Sequence, residues 1–220
     1  MPAVRSLRHH RTREPAARRG PARLVACAVP RPPGSLQELP GTLREVGMLA
    51  ELFPGTRVLT GAEVTHDALA AALPTADWAH FACHGRNDGQ APSRSALVLH
   101  DHDRAPMTVL DISRMRLPAA EFAYLSACST MRTGAGLSDE AIHITGAFQL
   151  AGYRNVVGTL WNIRDDLAVD MAERVYTPLA HGAPVGDEEI ARALHAATTE
   201  LRARHPGEPA WWAAHVHVGG

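Results

Sequence analysis

Trp78-Ala79-His80-Phe81-Ala82-Cys83-His84-Gly85 is a short run that turns from apolar to reactive at its end. A second run, Phe122-Ala123-Tyr124-Leu125-Ser126-Ala127-Cys128-Ser129-Thr130, does the same. Apolar runs of this length, stopped by glycine or small polar residues, predict buried strands. The first strand is expected over residues 78–83, leading into His84-Gly85. The second is expected over 121–127, ending at Cys128.

Outward from these two runs, strand-like and helix-like segments alternate. Residues 24–29 form an apolar run stopped by Pro30, Pro32 and Pro33, as a buried strand would be. Leu43, Val46, Ala50 and Phe53 fall on one helical face, which Pro54-Gly55 ends. A strand at 57–59 precedes a helix at 65–73 with Thr65 as its cap. Further strands are expected at 96–100, 155–160 and 210–218. Helices are expected at 108–115, 139–151, 165–180 and 187–204. Strands separated by helix-length segments predict an α/β fold, a mostly parallel sheet sandwiched by helices. One domain over 21–220 suits the length.

Residues 1–20 hold six arginines and almost no bulky apolar side chain, so they are expected to be a disordered basic arm. The whole chain has a formal net charge of -1, which gives no reason to expect a nucleic acid or a membrane as partner. No stretch reaches the roughly 18 to 20 apolar residues of a membrane-spanning helix, and no apolar run follows the first arginines as in a secretory signal. Every basic residue is arginine and none is lysine, a bias that fits GC-rich coding DNA and a bacterial source. Three cysteines, Cys27, Cys83 and Cys128, show no paired spacing, as expected for a reducing, cytoplasmic setting.

In an open parallel sheet, sites form at the carboxyl ends of strands. If the two quoted strands are neighbours, His84 and Cys128 meet in one cleft. A thiolate needs a nearby imidazole to ionise it and later to protonate the leaving amine. Gly85 lets its backbone N–H approach a substrate closely, and with the N–H of Cys128 it makes a donor pair for an oxyanion. The competing reading is a free cysteine packed in the core. Position at a strand end weighs equally on the other side.

The segments 80–85, 125–130 and Gly158-Thr159-Leu160-Trp161 resemble the CHAT family, as do Asp139-Glu140-Ala141-Ile142-His143, residues 146–152 and the closing 211–219. The likeness runs from about residue 22 to 220. It implies a caspase-like fold related to separases, a cysteine peptidase with His84 as general base and acid and Cys128 as nucleophile. It also implies Gly85 and the Cys128 backbone as the oxyanion hole. In separase-like relatives an aspartate just after the Leu-Trp pair lines a pocket for a basic P1 side chain. Asp165 stands nearest that position, with Asp166 beside it, and Trp161 is a candidate pocket wall. Both acids equally suit the start of the next helix, and Arg164 next door speaks against a basic P1 group. The family commonly carries tetratricopeptide or other modules before this domain, so a regulatory partner of that type is expected.

Thirteen histidines raise the question of a metal. His80 and His84, four apart on a strand, lie roughly 13 Å from each other, too far for one ion. His100 with His102, and His215 with His217, share strand faces without further ligands, so no metal and no cofactor are expected. Cys83 and Cys27 belong to the core. The loops 86–95 and 129–138 are polar and glycine-rich enough to form only on activation. Endopeptidase chemistry on a protein or peptide is the leading expectation. The alternatives are a catalytically silent or partner-activated interaction module, and a small-molecule hydrolase.

Overall fold

A computed structural model describes residues 22–129, 137–181 and 185–219, with backbone alone for 127–129 and 137–143. The expected basic arm at 1–20 and most of the 129–138 loop lie outside the described residues. Eight strands form one sheet: β1 (Leu24–Ala28), β2 (Arg57–Thr60), β3 (Trp78–Arg86), β4 (Ala96–Val98), β5 (Met107–Thr108), β6 (Phe122–Ser129), β7 (Asn155–Thr159) and β8 (His215–Gly219). Their order is β2-β1-β3-β6-β7-β8, with β4 added to β3 and β5 to β4. The pairs β1–β2, β1–β3, β3–β6 and β6–β7 are parallel, and β3–β4, β4–β5 and β7–β8 antiparallel. The sheet is therefore mostly parallel, as its sequence pattern predicts.

Seven helices are seen among the described residues: α1 (Gly41–Leu52), α2 (His66–Ala72), α3 (Val109–Arg114), α4 (Leu137–Ala151), α5 (Asp165–His181), α6 (Asp187–Arg204) and α7 (Pro209–Trp212). Helices α2, α3 and α4 cover one face of the sheet, where Leu69, Ile112 and Phe148 pack on Cys27, Phe81, Cys83 and Leu125. Helices α1, α5 and α6 cover the other, where Leu49, Met171, Tyr176 and Leu194 pack on Trp78, Phe122 and Tyr124. Burial on both faces explains why β1 and β3 read as unbroken apolar runs rather than alternating ones. On the second face Trp78 meets Phe122 edge to face at 5.3 Å and Phe53 at 5.5 Å, a geometry the ring quadrupoles favour.

Several boundaries differ from expectation, each for a physical reason. Strand β3 runs three residues beyond 83, because the β4 strand pairs with His84, Gly85 and Arg86 once β1 has ended. Strand β6 likewise includes Cys128 and Ser129, held by pairing with β3. Residues 107–108 form a strand that two residues of sequence cannot announce, and residues 209–212 form a helical turn before the last strand. The inward stripe of α1 is Thr42, Glu45, Val46 and Leu49, not Leu43 and Ala50, which face solvent. That rotation turns Glu45 onto the sheet, where His80 receives it. Loop 86–95, expected to form only on activation, is closed around Asp88. Its carboxylate accepts from the N–H groups of Gln90 and Ala91 and pairs with Arg94, while its own N–H donates to Ser95 Oγ.

Candidate active site

The chain passes from β1 outward to β2 and then returns across β1 to β3 on its other side, so the strand order reverses between β1 and β3. At such a switch point the segments leaving the two strands diverge and leave a crevice at their carboxyl ends. The segment after β1 and the end of β3 therefore face each other. Here the backbone carbonyl of Gln37 lies 2.7 Å from His84 Nε2. A carbonyl only accepts, so Nε2 carries the proton and donates it. Nδ1 is then the lone-pair nitrogen, and it has no hydrogen-bond partner among the described residues although it is buried. His84 as a whole is 3% exposed.

In the sheet the Cα partner of His84 on β6 is Cys128. The next pair up the ladder is Gly85 with Ser129, and Gly85 is flanked on its other side by Leu97 of β4. The backbones of His84, Gly85 and Cys128 thus share adjacent strand ends. The Cys128 side chain lies outside the described residues. Cys27 and Cys83, by contrast, are fully buried in the opposite face. Burial in that apolar layer pushes the Cys27 thiol up to about 12, which keeps it protonated and unreactive.

The three residues expected to line a substrate pocket take different places. Asp165 opens α5, and its Oδ2 accepts the Gly41 N–H at 2.6 Å. Asp166 is exposed and held by Arg164 through two hydrogen bonds of 3.0 and 2.7 Å. The hydrogen bond from the Arg164 guanidinium, against a smaller opposing effect of burial, keeps its carboxyl below the usual range. Trp161 donates its indole N–H to the Ala210 carbonyl at 2.9 Å, which ties the end of β7 to α7. Arg164 also lies over the Trp211 ring, 5.0 Å from its centre.

Sequence reasoning missed two features of this region. Gln37 was invisible because its contribution is a backbone carbonyl, which any residue supplies. The available signal was the proline-rich exit from β1, which predicts a fixed turn there. The other is a buried polar group beneath the site. His80 Nε2 lies 3.1 Å from Glu45 Oε2, with both side chains at most 1% exposed. His80 Nδ1 lies 3.3 Å from the Tyr176 hydroxyl, and its ring stacks on Tyr124 at 5.2 Å. Burial first, then the neighbouring Tyr124 and Glu45, pushes the Tyr176 phenol well above its ordinary value, so it remains a neutral hydroxyl.

No three His, Cys, Asp or Glu side chains among the described residues come together as a metal ion would require. No described helix is long and apolar enough to cross a membrane. Among solved structures, the chain is similar to separase in the Saccharomyces cerevisiae separase–securin complex, with a TM-score of 0.62 and 15% identity. That likeness covers 98% of this chain and 13% of the separase chain. It is also similar to RgpB, in a complex of the Porphyromonas gingivalis RgpB pro- and mature domains, with a TM-score of 0.54 and 9% identity over 83% of this chain and 44% of that one. The Arg-specific cysteine proteinase gingipain R matches with a TM-score of 0.53 and 9% identity, over 83% and 43%. This chain therefore spans about an eighth of the length of the separase chain and somewhat under half of the gingipain chains. No curated protein matches it. The CHAT domain model matches residues 1–220, and with the caspase-like sheet and helix layers described above, the chain belongs to the CHAT domain family.

Proposed function

We propose that this chain is a cysteine endopeptidase acting through His84 and Cys128. The observation that carries the reading is the state of His84. Its Nε2–H is committed to the Gln37 carbonyl, so its basic nitrogen is Nδ1, and the residue's register partner on β6 is Cys128. Nδ1 takes the thiol proton, and the thiolate adds to the scissile carbonyl. The N–H groups of Gly85 and Cys128 hold the oxyanion. Collapse breaks the C–N bond, the imidazolium returns its proton to the leaving amine, and a thioester remains on Cys128. Water, deprotonated by the same Nδ1, then cleaves the thioester and regenerates the thiol. His84 is buried, which keeps bulk water from competing for its lone pair.

The substrate is read as a protein or peptide, since the similar gingipain R is by name an Arg-specific cysteine proteinase. Asp165 is the proposed contact for a basic P1 group, supported by its partial exposure beside the Gln37–Gly41 turn. Trp161 and Asp166 are proposed as outer pocket residues, with Asp166 already engaged by Arg164. Separase was crystallised with securin, which supports a protein regulator for this chain as well.

The test is labelling of purified wild type and Cys128→Ala with peptidyl acyloxymethyl ketones carrying basic, acidic or apolar P1 groups. Labelling that disappears only in the variant, with unchanged circular dichroism, is expected. Absence of labelling in both proteins overturns the reading of a self-sufficient peptidase and favours an interaction module that keeps this fold.

A further inference from the structure

Helix α1 begins without a cap of its own. The residue before it is Pro40, whose side chain offers no acceptor, and its first turn contains no acid. The orphan N–H of Gly41 is satisfied instead by Asp165, which stands 124 residues further along the chain. A carboxylate at a helix N-terminus is favoured by the helix dipole as well as by the hydrogen bond. The approach leaves no room: a Cβ on Gly41 would sit 2.7 Å from Cγ, Oδ1 and Oδ2 of Asp165. Glycine at 41 is therefore what lets the carboxylate reach the backbone.

The same turn carries the carbonyl that holds His84. Leu39 N–H donates to Pro30 O at 2.9 Å, fastening the turn to the end of β1. The Leu39 carbonyl accepts from both Thr42 N–H and Thr42 Oγ1, fastening it to α1. Gln37 O lies two residues before Leu39, which is thereby tied both to the β1 exit and to α1. The α1 flank is itself held by Asp165. The path from Asp165 to the imidazole runs through Gly41, the 37–41 turn and the Gln37 carbonyl.

We propose that Asp165 is a positioning residue for His84: through Gly41 it fixes the carbonyl that sets the imidazole tautomer. This rests on the reading of His84 as the catalytic base. It adds to Asp165 a role that is independent of the substrate, one in which the hydrogen-bond acceptor matters and the P1 side chain does not.

The test compares wild type, Asp165→Asn, Asp165→Ala and Gly41→Ala. Long-range nitrogen–proton spectra of histidine-labelled protein read the tautomer directly, with the His84 signals identified by their loss in His84→Gln. Wild type and Asp165→Asn, which keeps an acceptor, are expected to show His84 as the Nε2–H form. Asp165→Ala and Gly41→Ala are expected to show that form eroded. Gly41→Ala matters because alanine ordinarily favours a helix, so its effect isolates the displaced carboxylate. In ketone labelling, Asp165→Ala is expected to slow reaction about 10- to 100-fold for every P1 group, as misplacement of a catalytic group does. An unchanged His84 tautomer in folded Asp165→Ala and Gly41→Ala overturns the proposal. If the tautomer responds but wild type never labels, the positioning stands and the peptidase reading falls.

Discussion

The two faces of the sheet are built from opposite materials. The face under α2, α3 and α4 is a dry layer of Cys27, Phe81, Cys83, Leu125 and Phe148. The face under α1, α5 and α6 adds Glu45 and His80 to its aromatic residues. His84 stands on the same strand as His80, at the same parity as Trp78, and it reaches the turn that precedes α1. One face buries Cys27 so deeply that its thiol is pushed up to about 12. The other encloses titratable side chains, with His80 beside Glu45 and Tyr176 and His84 donating to the Gln37 carbonyl. Reactivity in this fold follows the face on which a residue lies more than the residue type.

Four changes would break or sharpen that contrast. The largest effect is expected from Glu45→Ala or His80→Ala. Each leaves the other member buried without its partner, at a cost of about 3–5 kcal/mol. Joint replacement, Glu45→Met with His80→Phe, is expected to recover most of it. Urea denaturation midpoints of the three proteins check this, and a double variant no better than the singles would remove the pair from the account.

The next effect concerns pH. His215 is buried, and burial lowers its imidazole to about 4. Its ring nitrogens have no hydrogen-bond partner among the described residues. The unfolded chain takes up a proton near 6.5, and the folded one resists until about 4, so the unfolded state binds more protons between those values. Stability is therefore full above about 6.5 and falls as the pH drops toward 4. Across that window His215 accounts for a loss on the order of 3 kcal/mol, taking 1.36 kcal/mol per unit. Thermal unfolding at pH 7 and pH 5 reads the slope, which His215→Phe should flatten; a variant as acid-sensitive as wild type refutes it. His102 and His217, also lowered by burial, leave a residual slope.

Cys27→Ser probes the dry face. It places a hydroxyl in a fully buried apolar layer, and a loss of about 1–3 kcal/mol is expected with ketone labelling unchanged. A drop in labelling would mean that the two faces are not independent. The smallest effect is expected at Asp166→Ala. The Arg164–Asp166 pair is more than half exposed on both sides, so its removal should leave stability almost unchanged, and wholly so in high salt. A P1 preference altered by this variant would instead tie Asp166 to substrate.

Much of this arrangement is legible in the chain. The two quoted runs predict strands, and in the structure β3 and β6 do carry His84 and Cys128 in their last residues. Thr65 caps α2 through Ala68 N–H as its position suggests. What failed was the face of α1. Apolar spacing pointed to Leu43 and Ala50, yet the helix is rotated so that a glutamate enters the core. The pattern could not show it, because the favourable partner of Glu45 is a histidine 35 positions away on another element.

The sequence by itself determined the alternation of strands and helices and that two strands lead into His84-Gly85 and Cys128. Those features arise from burial and backbone sterics over a few residues, which local order records. Only the tertiary structure decided that β3 and β6 are neighbours in register, and that a carbonyl from the β1 exit sets the His84 tautomer. The seating of Asp165 on Gly41 across the chain was likewise beyond local pattern. Each of these is a pairing between distant segments. Which partners meet depends on strand order and close packing, and a backbone carbonyl or N–H has no residue letter to reveal it.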